Sequence, residues 1–392
     1  MRILFLDSPA FAKQDMMDAF ADCGVQYDLF FHDDYHDRQS PAFENAFFAA
    51  LEEHTYDFVF SFNYFPILSR CCQKYGIKYV SYVYDSPLVA LYSCTLINSC
   101  NYVFLFDKAT YLTFHNAGIS TVYYLPLAAN VKRLTSLVCP SHVQSQISSE
   151  VSFVGSIYNE EHNFYDRLDK ISDFTRGYLN SIMAAQQKVY GYFFLEELLN
   201  PAILEDLQKC IPYTPMSDGT ESAAYVYANY FLCRKITSNE RLALLKAASK
   251  QFQLKLYTHQ PAKELPRAEY MGTVDYYDTM PLIFQNSLIN LNITLKSIQT
   301  GIPLRCMDIM GAGGFLLTNF QSDFLDFFVP GEDFAFYESE EDFSAKISYY
   351  LAHSTERQQI IDNCLGKMQD AHTFAHRVHT ILDIISNDSR TL

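Results

Sequence analysis

The sequence predicts an α/β protein of two consecutive domains, each a parallel sheet covered by helices on both faces. Three observations carry this reading. The chain has 392 residues, long for one core and comfortable for two, since domains commonly run to about 100–200 residues. Continuous apolar segments of strand length alternate with helical periodicity, the signature of strands buried on both faces. That alternation is interrupted by a polar, serine-rich stretch and a helical insertion, after which it resumes.

The first rhythm runs over residues 1–130. Strands are expected at 2–6, 25–31, 56–62, 78–84, 101–106 and 121–125. Helices are expected at 12–23 with Gly24 as its stop, at 42–53, at 66–75 ended by Gly76, and in a segment closing near Gly118. Glycine after the last periodic residue is a common helix terminator. Residues 131–150 (VKRLTSLVCPSHVQSQISSE) lack a clean period and read as an interdomain connector. The second domain then spans 151–375, opening on the strand VSFVG and carrying a helical insertion over about 160–250. After it come a helix at 239–250, strands at 253–257, 270–273, 288–293 and 315–318, and a helix from Pro303. Two helices at 341–353 and 355–371 precede a C-terminal helix and tail over 376–392, with the last residues, 387–392, unstructured.

Composition removes several classes. A net charge of −16 argues against nucleic acid, which demands a basic stripe. No secretory leader is visible, and no run approaches the roughly 20 apolar residues of a membrane span. The ten cysteines show neither zinc nor redox spacing and read as free thiols in a reducing, cytoplasmic setting. His372, His376, His379 and Asp383 fall on one helical stripe. Ligands strung along three turns do not converge on one ion, so this stripe reads as a solvated face. No Asp-x-Asp pair is present, and neither a metal nor a separate cofactor is expected.

In open parallel sheets ligands bind beyond the carboxyl ends of the strands. The most informative such segment is 291–319, LNITLKSIQTGIPLRCMDIMGAGGFLLTN. Thr300 and Gly301 lead into Pro303, suited to a helix start. Arg305 in the first turn and Lys296 nearby would join free backbone N–H groups and the helix dipole in holding a diphosphate. Asp308, on the same helix face, would accept hydrogen bonds from a ribose. The alternative is that Arg305 and Asp308 simply pair with each other. In the first half, Asp85 closes a strand within Tyr84-Asp85-Ser86-Pro87. It serves either as a general base toward an acceptor hydroxyl or as the cap of a following helix. Asn63 and Asp107, at neighbouring strand ends, read as structural.

Segment 291–319 resembles the nucleotide-sugar signature of group 1 glycosyltransferases, in particular the CgeB-like (spore maturation) branch. The resemblance extends to Val329-Pro330-Gly331-Glu332-Asp333, to Phe336-Tyr337 and to the stretch from His372 to Leu382. It also covers VSFVGSIY at 151–158 and the loop Met271-Gly272-Thr273-Val274. The first half is similar to the domain that precedes this module, through YDFVFSFN, KYVSYVYDSPL, YVFLFDK and YYLPLAAN. The sequence departs from the family pattern at Asp308 and Thr300, where glutamates are usual, and at Asp7-Ser8-Pro9, which replaces a Gly-Gly loop.

The resemblance implies a GT-B fold: two Rossmann-like halves with a cleft between them and the last helix crossing back to the first half. It implies transfer of a sugar from a nucleotide diphosphate sugar to an unidentified acceptor, without a metal. Gly272 and Val274 would then line the base pocket, Gly155 and Ser156 would approach the phosphates, and Thr300 and Gly301 would open the diphosphate-binding helix. Two rival readings on the same fold are a nucleotide-sugar epimerase and a catalytically idle homologue that acts as a binding subunit.

Overall fold

The computed structural model describes residues 1–159, 163–388 and 390. The first residues of the expected insertion, 160–162, and positions 389, 391 and 392 of the expected tail lie outside the described residues. Contact clustering divides the chain into two compact units. The first comprises Met1–Ala129, Pro215–Ser222 and His372–Leu392; the second comprises Asn130–Thr214 and Ala223–Ala371.

The first unit alternates strands and helices: β1 (Arg2–Leu6), α1 (Lys13–Asp22), β2 (Gln26–Phe30), α2 (Pro41–Glu53), β3 (Phe58–Phe62), α3 (Pro66–Tyr75), β4 (Lys78–Val83), β5 (Asn101–Leu105), α4 (Lys108–Asn116) and β6 (Val122–Tyr124). All pairings are parallel, in the order β2-β1-β3-β4-β5-β6. β3 and β5 are buried throughout, which explains their mostly apolar sequence; the buried Ser61 and Asn101 side chains are hydrogen-bonded. Local signals set the helix ends. Ser40 Oγ accepts from Phe43 N (3.1 Å) to start α2, and Gly76, at φ 81°, closes α3. With no Trp in the chain, rings of Phe and Tyr fill the core, as where Phe60 meets Phe5 and Phe20 at centroid distances of 4.9 and 5.1 Å.

The stretch expected as a connector is partly helical, forming α5 (Val131–Ser136), capped by Asn130 Oδ1 on Arg133 N (3.1 Å), and α6 (Ser141–Ile147). β7 (Ser149–Val154) follows. The insertion supplies α7 (Asp173–Gln187), α8 (Leu195–Leu198), α9 (Pro201–Cys210), α10 (Ala223–Val226) and the long α11 (Cys233–Gln251). Then come β8 (Leu254–Tyr257), β9 (Glu269–Tyr270), α12 (Met280–Asn286), β10 (Ser287–Asn292), α13 (Leu304–Gly311), β11 (Leu316–Asn319), β12 (Ala335–Tyr337), α14 (Glu340–Ala352) and α15 (Ser354–Ala371). The second sheet is again parallel, ordered β12-β11-β10-β7-β8-β9. β9 is shorter than its expected 270–273, and β12 has no counterpart in the sequence reading. A three-residue strand is too short to show a period.

Both sheets reverse their build direction once. The chain goes outward from β1 to β2 and returns to place β3 on the other side of β1. It likewise goes outward from β7 through β9 and returns to place β10 beside β7. These are the topological switch points, where open α/β sheets take their ligands.

The last helix, α16 (Phe374–Asn387), belongs to the first unit. Arg377 donates to Pro126 O (2.7 Å) and Leu127 O (3.1 Å). Two expectations need correcting here. His372 is not on a solvated face: it is buried and meets Arg377 Nη2 at 2.9 Å. Nor is the described part of the tail without structure. Arg390 lies 4.2 Å from the Tyr102 ring centroid, pairs with Asp388 and donates to Tyr123 Oη (3.1 Å). Stacking on an aromatic face holds a chain end that composition alone would leave loose.

Candidate active site

The switch point of the second unit is built first by backbone. Gly155, directly after β7, has φ 154°, a conformation that side-chain-bearing residues rarely adopt. Ser156 Oγ then accepts from Tyr158 N (2.8 Å) and turns the chain sharply, with Tyr158 itself at φ 51°. Arg241 on α11 holds this turn. Its Nη1 donates to Ser156 O, while Nε (3.0 Å) and Nη2 (2.5 Å) donate to Ile293 O just past β10. The same guanidinium lies 4.7 Å from the Tyr158 ring centroid and 5.5 Å from that of Phe153. One buried arginine thus ties together the ends of β7 and β10.

The loop between β10 and α13 is fixed by a polar network at the strand ends. Asn292 Nδ2 reaches Thr294 Oγ1 and Thr318 Oγ1, both at 2.9 Å. Asn319 Oδ1 accepts from Thr294 N (2.8 Å), and its Nδ2 donates to Gln321 Oε1 (3.1 Å). Gln321 Nε2 in turn donates to Ile298 O (3.0 Å) and Gly301 O (3.1 Å), while Asp323 N donates to Thr300 O (3.0 Å). Thr300 and Gly301 are therefore held through their carbonyl oxygens. At the far end of α13, Gly314 is required by space. A Cβ there would stand 2.8 Å from Asn290 Nδ2 and from Phe284 O.

The two cations predicted to share a diphosphate have different surroundings. Arg305, in the first turn of α13, contacts the Met280 sulfur (3.2 Å) and lies 5.8 Å from the Phe284 ring centroid. Among the described residues no carboxylate forms an ion pair with it. Burial lowers its pKa, opposed by the charge of Asp308 and reinforced by the like charge of Arg241. Lys296, by contrast, is sequestered. Its Nζ lies 3.1 Å from Glu240 Oε1, both side chains almost wholly buried, and 3.4 Å from the Tyr190 ring centroid. Tyr190 Oη also donates to Glu240. Burial pushes Glu240 up and Lys296 down, and the charge of each opposes the other's shift. As it stands, the Lys296 ammonium is committed to Glu240, so the expected convergence of both cations on one diphosphate is not present.

Asp308 is buried, and its Oδ1 accepts from Tyr276 Oη (3.0 Å). The Arg305–Asp308 ion pair considered from the sequence is not formed. Tyr276 follows the Gly272–Val274 loop, in which Gly272 has φ 78° and Val274 is half-buried. This contact brings the presumed base loop to the presumed ribose acid. Arg133 closes the group from behind, donating to Tyr277 O (3.0 Å) with its guanidinium 5.0 Å from that ring's centroid.

In the first unit, Asp85 is exposed. The chain continues to a single turn, Val89–Tyr92, whose N-cap is Leu88. Asn63, at φ 58° after β3, donates to Asp85 Oδ2 (2.7 Å) and accepts from the Tyr84 and Asp85 amides (3.2 Å each). Asn63 is the residue that aims the carboxylate. Asp107 precedes α4 and accepts from Thr110 Oγ1 (3.1 Å).

Sequence reading missed Glu240, Arg241, Tyr276, Asn319 and Gln321. A signal existed for one of them. Arg241 shares a helical stripe with Leu244, Leu245 and Ala248, all buried, and a charge on an apolar stripe implies a specific partner.

Two parallel six-stranded sheets flanked by helices are the architecture of GT-B glycosyltransferases, and comparison with known proteins agrees. Residues 234–383 match a family model described as glycosyl transferase-like. The chain is similar in fold to sucrose-phosphate synthase from Thermosynechococcus elongatus (TM-score 0.60, 10% identity, 98% of this chain and 99% of that one). It is also similar to a glycosyltransferase from Rickettsia africae (TM-score 0.57, 9% identity, 99% of each chain). A third likeness is to Anabaena HepE in complex with UDP (TM-score 0.55, 9% identity, 99% and 100% covered). No curated protein matches the chain in sequence. Among the described residues no helix is long and apolar enough to cross a membrane.

Proposed function

We propose that this protein is a cytoplasmic hexosyltransferase of the CgeB-like branch, moving a sugar from a nucleoside diphosphate sugar to an acceptor hydroxyl or similar nucleophile. The observation that carries this reading is Arg305. It is a half-buried guanidinium in the first turn of a helix, with the like charge of Arg241 acting on it and, among the described residues, no carboxylate ion pair. Such a charge is costly unless an anion completes it. A diphosphate at a helix N-terminus meets that need. The glycosyl transferase-like match over 234–383 and the UDP held by HepE support the same donor class.

In the reaction the bond between the anomeric carbon and the diphosphate oxygen breaks, and a new bond forms from that carbon to the acceptor oxygen. The departing diphosphate gathers negative charge, which Arg305 and the α13 amides stabilise. Gly155 and Ser156 let the backbone approach the phosphates, while Thr300 and Gly301 set the start of the helix. Gly272 and Val274 take the base, and Asp308 takes the ribose hydroxyls by exchanging the Tyr276 phenol for them. Asp85, aimed by Asn63, removes the acceptor proton. Lys296 contributes to the phosphates only if its pair with Glu240 opens.

Incubation with UDP-, GDP- and ADP-sugars, scoring release of free nucleoside diphosphate, tests this reading. One donor class is expected to turn over, and Asp308→Ala to weaken its binding. If no donor binds and Asp308→Ala changes nothing, the proposal fails. Binding without turnover marks a binding subunit, which the Tyr276 phenol on Asp308 also suits. Interconversion of the sugar without release of the diphosphate marks an epimerase.

A further inference from the structure

A second cavity lies in the same unit, on the side of α11 that carries Glu240. It has a volume of about 540 Å³ and is bounded by the end of α7, by α11 and by the start of α14. That size suits a small molecule, since ligand pockets commonly run to about 300–1,000 Å³. Its lining is strongly one-sided in charge. Glu240, Glu338, Glu340 and Glu341 contribute four carboxylates against one ammonium, Lys188. Between the charges lie apolar side chains, Ala243 and Leu244 among them.

Glu240 provides the independent sign of a missing partner. Its side chain is 4% exposed. Its Oε1 takes Lys296 and the Tyr190 hydroxyl, while Oε2 is buried without a hydrogen-bond partner. A buried, unsatisfied carboxylate oxygen is expensive, and native structures usually complete such groups. Tyr190, which lines this cavity, also lies under the Lys296 ammonium. The cavity therefore abuts the residues that immobilise Lys296.

We propose that this cavity is a binding site for a small organic polycation, with ammonium groups spaced along an apolar chain. The carboxylates would pair with the ammonium groups, one of them completing Glu240 Oε2, and Ala243 and Leu244 would cover the methylenes between. A divalent metal is a poorer match. Among the described residues no three ligating side chains stand close enough together to hold an ion. The proposal is independent of the sugar-transfer reading and survives or falls without it.

Spermidine is the probe, titrated calorimetrically into the full chain at fixed ionic strength. One saturable site is expected. Glu240→Gln and, separately, the cavity-filling Ala243→Phe should each weaken it at least tenfold. Glu52→Gln/Glu53→Gln, on the exposed end of α2, should leave it unchanged. If Glu240→Gln does not fold, Ala243→Phe and the rim pair Glu340→Gln/Glu341→Gln decide the matter. Absence of saturable binding overturns the proposal. So does binding that the cavity variants retain, which would reflect only diffuse attraction to a chain of net charge −16.

Discussion

The two sheets share a plan but finish their switch points with opposite chemistry. In the first unit, β1 and β3 end at Asp7 and Asn63. Asp7 is paired with Lys13, and Asn63 aims the exposed carboxylate of Asp85. In the second unit, β7 and β10 end on backbone carbonyls clamped by Arg241, with Arg305 nearby and without an ion pair. A carboxylate at one strand end suits removal of a proton, and a guanidinium at the start of the helix beyond the other suits an anion. A shared parallel plan therefore says little about function, and the charges placed beyond the strand ends say more.

The contrast sharpens within the second unit, where Lys296 and Arg305 make opposite predictions. Lys296→Met strands Glu240 as a buried carboxylate without its countercharge. It should cost about 3–5 kcal/mol of stability, read from the midpoint of urea unfolding. Arg305→Met keeps an apolar side chain at the position and removes a cation that, among the described residues, lacks an ion pair. Its effect on stability should stay below about 1 kcal/mol, while kcat/KM for the donor falls by about 10²–10³-fold. Equal stability losses, or unchanged nucleoside diphosphate affinity in Arg305→Met, would break the distinction between a structural and a ligand-seeking cation.

That distinction marks what the sequence could and could not show. Strands such as β3 and β5 were legible because burial on both faces leaves a mostly apolar run without strict alternation. α13 was legible from Pro303 at its start and the glycines at its end. Arg305 and Asp308 were placed on one helix from their spacing, as the structure has them, whereas the contact of Tyr276 with Asp308 was not foreseen. The state of each charge was not. Lys296 and Arg305 look alike in the sequence, and only the fold brings Glu240 from α11 to one and leaves the other, among the described residues, without an ion pair. The helices α5 and α6 were hidden by a polar composition that short helices share with loops. The segment Pro215–Ser222 gave no hint that it packs with the first unit, because tertiary partners such as Asp218 with Ser93 Oγ (2.7 Å) leave no local pattern.

The first unit's half of the comparison is tested at Asp85. Asp85→Asn should lower kcat by about 10²-fold if the carboxylate takes the acceptor proton, with nucleoside diphosphate affinity unchanged. Asn63→Ala should lower kcat by about tenfold, since it loosens the aim of the carboxylate and leaves its charge in place. Steady-state kinetics with separate calorimetric binding of the nucleotide divides the two effects. A loss of nucleotide affinity in Asp85→Asn would show that this strand end helps hold the donor, and the assignment of opposite roles would collapse.

The last effect concerns a base kept neutral by burial and by a charged neighbour. His372 is buried beside Arg377, and burial together with that positive charge lowers its pKa to about 4 from an ordinary 6.5. Above pH 6.5 the ring is neutral in both folded and unfolded chains and adds no pH dependence. As pH falls below 6.5 the unfolded chain takes up the proton and the folded chain does not, so stability declines. The decline levels off below about pH 4, where both states are protonated. His372→Gln retains an acceptor for Arg377 and cannot titrate. The difference in unfolding free energy between wild type and this variant should therefore shift between pH 6.5 and 4 and stay flat outside that window. A flat difference throughout would mean that the ring titrates alike in the folded and unfolded chains, so that neither burial nor Arg377 shifts it.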